Sequence, residues 1–251
     1  EDFEAMEEDV RMNGGSMPED VNLLELHFTL PFKQPSDAKN LITLDVYDPT
    51  YYVDFRFGAG DDALGTENAP GTCRVSRKEP PPLDDAEACW NGLLEAGLKP
   101  DQIAVAGDSA GGGLSVALAM RLRDKGLQLP ASLTAFSPWI DLTQEQLYAP
   151  EIEPVLQASW TSKAARLYAG KEPLTNPLIS PIFGDLSGLP PLLIQVGSQE
   201  ILLNDARRLA NAASRDSVDT RLEIYNGLWH VFQVHAGQLD RATEALQTAG
   251  A

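Results

Sequence analysis

The sequence is poor in cysteine, in positive charge and in long apolar runs. No stretch reaches the roughly 18 consecutive apolar residues that a membrane-spanning helix needs, so we expect no stable membrane insertion. Basic residues number 19 against 37 acidic ones, which leaves a net charge of −18. Such a surface repels phosphate backbones, so we expect no nucleic-acid partner. We interpret the excess acid as ordinary solubilising charge rather than as adaptation to salt.

The two cysteines, Cys73 and Cys89, are too few for a disulfide framework and lack the spacing of metal ligands. Thiols kept reduced inside the cell fit this pattern. The first ten residues, EDFEAMEEDV, have neither the basic nor the apolar region of a signal peptide. We therefore expect a cytoplasmic protein without a metal, although a sequence that does not start with methionine leaves export open.

From about residue 100 onward, short apolar runs alternate with helical patterns. Strands are predicted at 103–107, 131–136, 192–196 and 221–225. Helices are predicted at 83–97, 113–126, 201–213 and 231–247. This alternation predicts an α/β fold with a parallel sheet, and 251 residues fit a single domain spanning residues 1–251.

Two parts of the chain depart from that alternation. Before residue 83 the pattern is weak, with strands predicted at 21–30, 41–49 and 51–57. Between 143 and 190 a single helix is predicted at about 155–168, followed by a loop rich in proline and glycine. Such an insertion over the C-terminal edge of a sheet predicts a lid or a pocket wall.

One short stretch, VAGDSAGGG at 105–113, contains the pattern G-x-S-x-G around Ser109. It follows a predicted strand and opens a predicted helix, which is the context that a nucleophilic serine on a sharp turn requires. The alternative is a glycine-rich turn with an incidental serine. We favour the nucleophile, with the N–H of Ala110 as a donor to the oxyanion that forms.

A serine nucleophile needs a base, and the chain has three histidines. His27 lies in a predicted early strand. His230 follows a predicted strand, and His235 lies within the predicted last helix, where a side chain reaches the serine less readily. We favour His230.

The base in turn needs an acid that orients it, expected between the serine and the histidine in the sequence. The stretch LLIQVGSQEILLNDARRL offers Glu200 and Asp205. Glu200 lies in the predicted loop after the strand, whereas Asp205 lies inside the predicted helix, with a solvent-facing carboxylate as its alternative role. We favour Glu200.

These residues lie in stretches that resemble the hormone-sensitive-lipase-like esterases, bacterial family IV of the α/β-hydrolases. The similar stretches are DQIAVAGDSAGGGLSVALAMRLRD, SPWIDLT, NPLISPIFGDLSGLPPLLIQVGSQEILLNDARRLA and LEIYNGLWHVFQ. The resemblance implies a mostly parallel central sheet with helices on both faces and a small helical cap from about 1–20 and 143–175. It places Ser109, Glu200 and His230 on a catalytic triad. It implies a carboxylesterase without cofactor that acts on short to medium acyl chains, as a monomer or homodimer.

The sequence departs from that family in its first third. The family carries an H-G-G-G motif whose glycine N–H groups complete the oxyanion hole, and this chain has none. The nearest stretch is FRFGAGDDALGT, which has Phe57 in place of the histidine. We expect Gly58 and Ala59 to supply backbone donors there, because such donors do not depend on the histidine side chain. The stretch that follows is shorter than the family's by about one βα unit.

Six residues are candidates for the wall of an acyl pocket, although a core role is the alternative for each. They are Trp139, Trp160, Tyr168, Leu202, Trp229 and Phe232. Two functions follow as hypotheses. The first is a serine hydrolase of small carboxylic esters, and amide hydrolysis or acyl transfer would use the same acyl-enzyme. The second is a small-ligand-binding member of the same fold without catalysis, which the missing H-G-G-G motif motivates.

Overall fold

The computed structural model describes residues 82–250 and, before them, three strands. These strands pair with four later ones in a seven-stranded sheet of order β3-β2-β1-β4-β5-β6-β7. The bounds are β1 Asn40–Tyr47, β2 Tyr52–Gly58, β3 Thr72–Ser76, β4 Ile103–Asp108, β5 Ser132–Phe136, β6 Leu192–Gly197 and β7 Thr220–Tyr225. β1 and β4 to β7 pair in parallel, whereas β1 with β2 and β2 with β3 are antiparallel.

Five α-helices lie within residues 82–250. They are α1 Pro82–Glu95, α2 Ala110–Asp124, α3 Ala158–Ala169, α4 Leu203–Arg215 and α5 Asp240–Ala249. Among the described residues, none of the helices has the length and apolar character to cross a membrane. The predicted strand at 21–30 and the predicted cap segment at 1–20 lie outside the described residues.

The two faces of the sheet are covered by different helices. Val105 of β4 belongs to the main apolar core, which also contains buried residues of α1, α2 and α4. Its neighbour Ala106 lies in a smaller cluster with Leu246 of α5. Because successive side chains of a strand point to opposite faces, this alternation places α5 on the face opposite to the other three helices. The predicted mostly parallel sheet with helices on both faces is confirmed.

One prediction about secondary structure was wrong, and one strand was not predicted. The helix predicted at 231–247 is divided, because a short 3-10 helix at Phe232–His235 ends before Gly237, whose φ of +86° interrupts the helical path. The strand β3 was not predicted, since its five residues have too little periodicity to stand out. β3 lies at an edge of the sheet, where it pairs with β2.

Candidate active site

Ser109 forms the turn between β4 and α2 in a strained backbone conformation. Its φ is 51° and its ψ is −117°, values that a residue with a side chain rarely adopts. Two hydrogen bonds fix this turn to the end of β5 and to the chain that follows it. The Ser109 N–H donates to the carbonyl of Phe136, and the N–H of Trp139 donates to the carbonyl of Ser109, both at 2.8 Å. Ser109 is partly exposed.

The glycines around Ser109 are required by close backbone contacts. A Cβ on Gly107 would lie 2.2 Å from the carbonyl oxygen of Gly111, and one on Gly113 would lie 2.2 Å from that of Trp139. No side chain fits at either distance. The first glycine of the pattern G-x-S-x-G, Gly107, thus has a steric cause in this structure, because strand and helix meet here without room for a methyl group.

Glu200 lies in the turn that follows β6 and is completely buried. Its Oε2 accepts hydrogen bonds from the Ser137 hydroxyl at 2.7 Å and from the Gly197 N–H at 2.8 Å. Its Oε1 lies 3.3 Å from Nδ1 of His230. A buried carboxylate is costly unless such partners compensate for the lost water, and here each oxygen has at least one.

His230 follows β7 and is buried next to that carboxylate. Val231, the next residue, has a φ of 49°, which is unusual for a β-branched side chain. His235 ends the short 3-10 helix and its ring lies 5.5 Å from that of Trp229, edge to face. The structure therefore brings Glu200 together with His230, while the third histidine, His27, lies outside the described residues.

Ser137 is the residue of this site that the sequence analysis missed. It follows β5, it is fully buried, and its hydroxyl bonds both Glu200 and the N–H of Val231. The available signal was its position, because polar residues directly after parallel strands meet at one edge of the sheet. Ser109, Glu200 and His230 follow β4, β6 and β7 at that same edge.

Asp205, the alternative acid, is directed elsewhere. Its Oδ2 accepts the backbone N–H groups of Ile140 and Asp141, each at 3.0 Å. Burial raises its pKa to about 7, although these two hydrogen bonds act in the opposite direction. Asp141 in turn pairs with Arg208 at 2.6 Å. The carboxylate of Asp205 is buried, contrary to the solvent-facing alternative, and it fixes the loop after β5.

The register of the sheet separates Gly58 from Ser109. Gly58 ends β2 opposite Leu41 of β1, and Leu41 also pairs with Ala104 of β4. Ser109 directly follows the end of β4, five residues after Ala104, which amounts to about 16 Å at 3.3 Å per residue. The prediction of Gly58 as an oxyanion donor was therefore wrong, because β2 is antiparallel to β1 and ends at the opposite edge. Ala59, the other predicted donor on that loop, lies outside the described residues.

Ala110 is the first residue of α2, so its N–H has no acceptor within the helix. It packs against a buried apolar cluster, here called the Trp139 cluster. The cluster consists of Trp139, Leu142, Ala165, Ile201 and Leu202. The N–H at the positive end of α2 is therefore bordered by apolar surface.

The six candidate wall residues fall into three groups. Trp139 and Leu202 belong to the Trp139 cluster, and Tyr168 of α3 packs against it. Burial raises the pKa of Tyr168 to about 12, so this phenol stays neutral. The next two, Trp229 and Phe232, pack with residues of α5, and Phe232 is fully buried there, which supports a core role. The last, Trp160, is 56% exposed on α3.

The insertion predicted as a lid contains the helix α3, close to its expected position. Two hydrogen bonds hold the insertion to the residue after Glu200. The carboxylate of Glu153 accepts the Ile201 N–H at 2.7 Å, and the Ile201 carbonyl accepts the N–H of Tyr148 at 2.9 Å. Within residues 82–250 no group of three acidic, histidine or cysteine side chains is arranged to hold a metal ion.

The sequence matches a known protein family. The sequence profile of a family described as alpha/beta hydrolase fold matches residues 76–234, more than half of the chain. The chain belongs to the α/β-hydrolase family. A second profile, of a protein family of unknown function, matches residues 3–119 of this α/β-hydrolase and adds no functional information.

Individual relatives indicate the subgroup of α/β-hydrolases that this chain resembles. An acetyl-hydrolase of Streptomyces hygroscopicus is 42% identical over 199 residues, which are 75% of this chain and 66% of the relative. An esterase of Acinetobacter venetianus is 34% identical over 171 residues, 66% of this chain and 56% of the relative. A crystal structure of an esterase from the bacterial hormone-sensitive lipase family is 40% identical with a TM-score of 0.65, covering 68% of this chain and 59% of that one.

These similarities confirm that this α/β-hydrolase is hormone-sensitive-lipase-like. The chain spans between 56% and 66% of the length of the two curated relatives.

Proposed function

We propose that the protein is a serine hydrolase that cleaves carboxylic esters through an acyl-enzyme. Ser109 is the nucleophile, His230 the general base and Glu200 the acid that orients the histidine. The observation that carries this proposal is the buried Glu200–His230 pair, 3.3 Å apart, at the sheet edge where the strained Ser109 follows β4. The names of the relatives, acetyl-hydrolase and esterase, support the same class of reaction.

In the proposed first step, Nε2 of His230 accepts the proton of the Ser109 hydroxyl as its oxygen attacks the ester carbonyl carbon. Because Nδ1–H donates to Glu200, the ring keeps the lone pair of Nε2 for this purpose. The oxyanion accepts a hydrogen bond from the Ala110 N–H at the positive end of α2. Nε2 then protonates the leaving alcohol, and the acyl group stays on Ser109.

The second half of the reaction repeats these transfers with water. His230 takes a proton from a water molecule, whose oxygen attacks the acyl carbon. The bond to Ser109 breaks, its oxygen regains the proton from Nε2, and a carboxylic acid leaves.

We further propose short to medium acyl chains as the substrates. The support is the Trp139 cluster, which packs against Ala110 and so places apolar side chains next to the oxyanion donor. The segment at 143–175 serves as part of a cap in a single domain, since Glu153 and Tyr148 tie it to the loop of the acid. The name of the relative from Streptomyces hygroscopicus, acetyl-hydrolase, is consistent with a small acyl group.

The test is labelling of Ser109 by a fluorophosphonate probe, with the modified residue located by mass spectrometry. We expect labelling at Ser109 and turnover of p-nitrophenyl acetate and butyrate. The Ser109→Ala variant should lose labelling and lower kcat/KM by about 10⁴-fold or more, because the covalent step disappears.

Folded protein that neither reacts with the probe nor turns over these esters would contradict the proposal. The ligand-binding alternative would then be favoured, and a Ser109→Ala variant that binds an ester without loss of affinity would support it. Undiminished turnover by Ser109→Ala would show that a different residue is the nucleophile.

A further inference from the structure

Ser137 directly follows β5, at the edge of the sheet where Ser109, Glu200 and His230 lie. Its side chain is fully buried, and its φ of 45° is in the left-handed region that a serine rarely adopts. Its N–H donates to the carbonyl of Gln195 in β6 at 2.7 Å. A buried polar residue in a strained conformation persists only where surrounding bonds hold it there.

The Ser137 hydroxyl joins the loop of the acid to the loop of the base. It donates to Oε2 of Glu200 at 2.7 Å and accepts the N–H of Val231 at 3.0 Å. Val231 follows His230 directly, and its own φ of 49° is costly for a β-branched residue. A single hydroxyl therefore holds both one oxygen of the acid and the strained backbone next to the base.

These bonds fix the orientation of the Glu200 carboxylate towards the histidine. With Oε2 bonded to Ser137 and to the Gly197 N–H, the carboxylate cannot rotate without breaking both bonds. Oε1 is thereby directed to Nδ1 of His230. Loss of the hydroxyl would free one side of the carboxylate and leave the Val231 N–H without its acceptor.

We propose that Ser137 is a positioning residue for ester hydrolysis. Its hydroxyl fixes the Glu200 carboxylate and the backbone after His230 in the relative orientation that lets the histidine act as the base. Ser137 does not contact the substrate itself, so its influence is exerted through the acid and the base. The proposal rests on the proposed function and adds a fourth side chain on which the reaction rate depends.

Two variants separate the hydroxyl from the backbone conformation. Ser137→Ala removes the hydroxyl and keeps the strain of a side chain at positive φ. Ser137→Gly also removes the hydroxyl, but glycine adopts a φ of 45° without strain, so this variant folds even if the alanine variant does not.

Ser180→Ala is the matched control. Ser180 is also fully buried, and its hydroxyl accepts one backbone N–H, from Leu142 at 2.9 Å. The control therefore loses a comparable buried hydrogen bond without any bond to the acid or the base.

We expect both Ser137 variants to lower kcat for p-nitrophenyl butyrate by about 10- to 100-fold, with KM within about twofold of wild type. The rate of fluorophosphonate labelling at Ser109 should fall by a similar factor, because labelling needs the same activated serine. Ser180→Ala should show a lower melting temperature with kcat within about twofold of wild type.

Three results would overturn the proposal. The first is a wild-type kcat in both Ser137 variants. The second is a wild-type kcat in Ser137→Gly alone, which would show that only the backbone conformation matters. The third is an equal loss of kcat in Ser180→Ala, which would show a general effect of stability. If Ser109→Ala retains activity, the proposed function fails instead, so the two failures are distinguishable.

Discussion

Glu200 and Asp205 are two buried carboxylates that follow β6 in the chain, five residues apart. They differ in the groups that they contact. Glu200 lies in the turn before α4, where one oxygen is held by Ser137 and Gly197 and the other faces His230. Asp205 lies in the first turn of α4 and bonds backbone N–H groups after β5.

Burial therefore does not identify the acid of such a site. Both side chains have almost no exposed surface, at 0% for Glu200 and 2% for Asp205. What separates them is the partner of the carboxylate: a titratable ring in one case and the amides of a loop in the other. The first arrangement orients a base, whereas the second stabilises the path of the chain.

Of the changes considered, substitution of Glu200 should lower kcat the most. Glu200→Gln removes the charge that stabilises the imidazolium while keeping the shape of the side chain. We expect kcat to fall by about 10³-fold. Asp205→Asn should keep kcat within about threefold, because its bonds end on backbone groups. Steady-state kinetics on p-nitrophenyl butyrate measures both, and an equal loss in the two variants would reverse the assignment of the acid.

The second prediction concerns the pH dependence of stability at Asp205. Its pKa is about 7 in the folded protein against 3.8 ordinarily. The folded protein therefore binds a proton, at pH values between these two, that the unfolded chain has released. The stabilisation from this group is complete below pH 3.8 and is lost as the pH rises through 7.

Asp205→Asn cannot ionise, so it should not lose that stabilisation. Relative to wild type, we expect its free energy of unfolding to increase by about 2 to 3 kcal/mol between pH 5 and pH 8. Urea unfolding at the two pH values measures this difference. An identical pH dependence in both proteins would show that Asp205 titrates in its ordinary range.

The smallest effect is expected for the hydrogen bond between Glu153 of the insertion and the N–H of Ile201, the residue after the acid Glu200. Glu153 accepts the Ile201 N–H with one oxygen and the N–H groups of Val155 and Leu156 with the other. A glutamine side chain has a single acceptor oxygen. Glu153→Gln therefore loses either the hydrogen bond from Ile201 or the two from Val155 and Leu156. We expect a loss of about 1 kcal/mol in stability and a decrease in kcat/KM of at most fivefold, roughly.

The exposed neighbour Glu151 provides the control for this variant. Glu151→Gln changes the net charge by the same amount and should leave both quantities at the wild-type value. If the two variants behave alike, the bond to Ile201 has no influence on the acid and the charge change explains the result.

The sequence predicted the strands β4 to β7 and the helices α1 to α4 because each has a strong local pattern. β4 is a continuous apolar run, and α2 follows it after a glycine turn whose steric cause is local. The first third of the chain gave poorer predictions. The position of Gly58 depended on the direction of β2 in the sheet, and no local pattern contains that direction.

The serine turn could be recognised from the sequence because its residues are close in the chain: a Cβ on Gly107 would collide with the carbonyl of Gly111, four residues later. The contacts of Ser137 became visible only in the tertiary structure, where its hydroxyl bonds the Glu200 carboxylate and the N–H of Val231, the residue after His230. The bonds of Ser137 join residues 63 and 94 positions apart in the sequence. Contacts of that range arise when parallel strands bring their C-terminal ends to one edge of a sheet, and a one-dimensional pattern has no means of recording them.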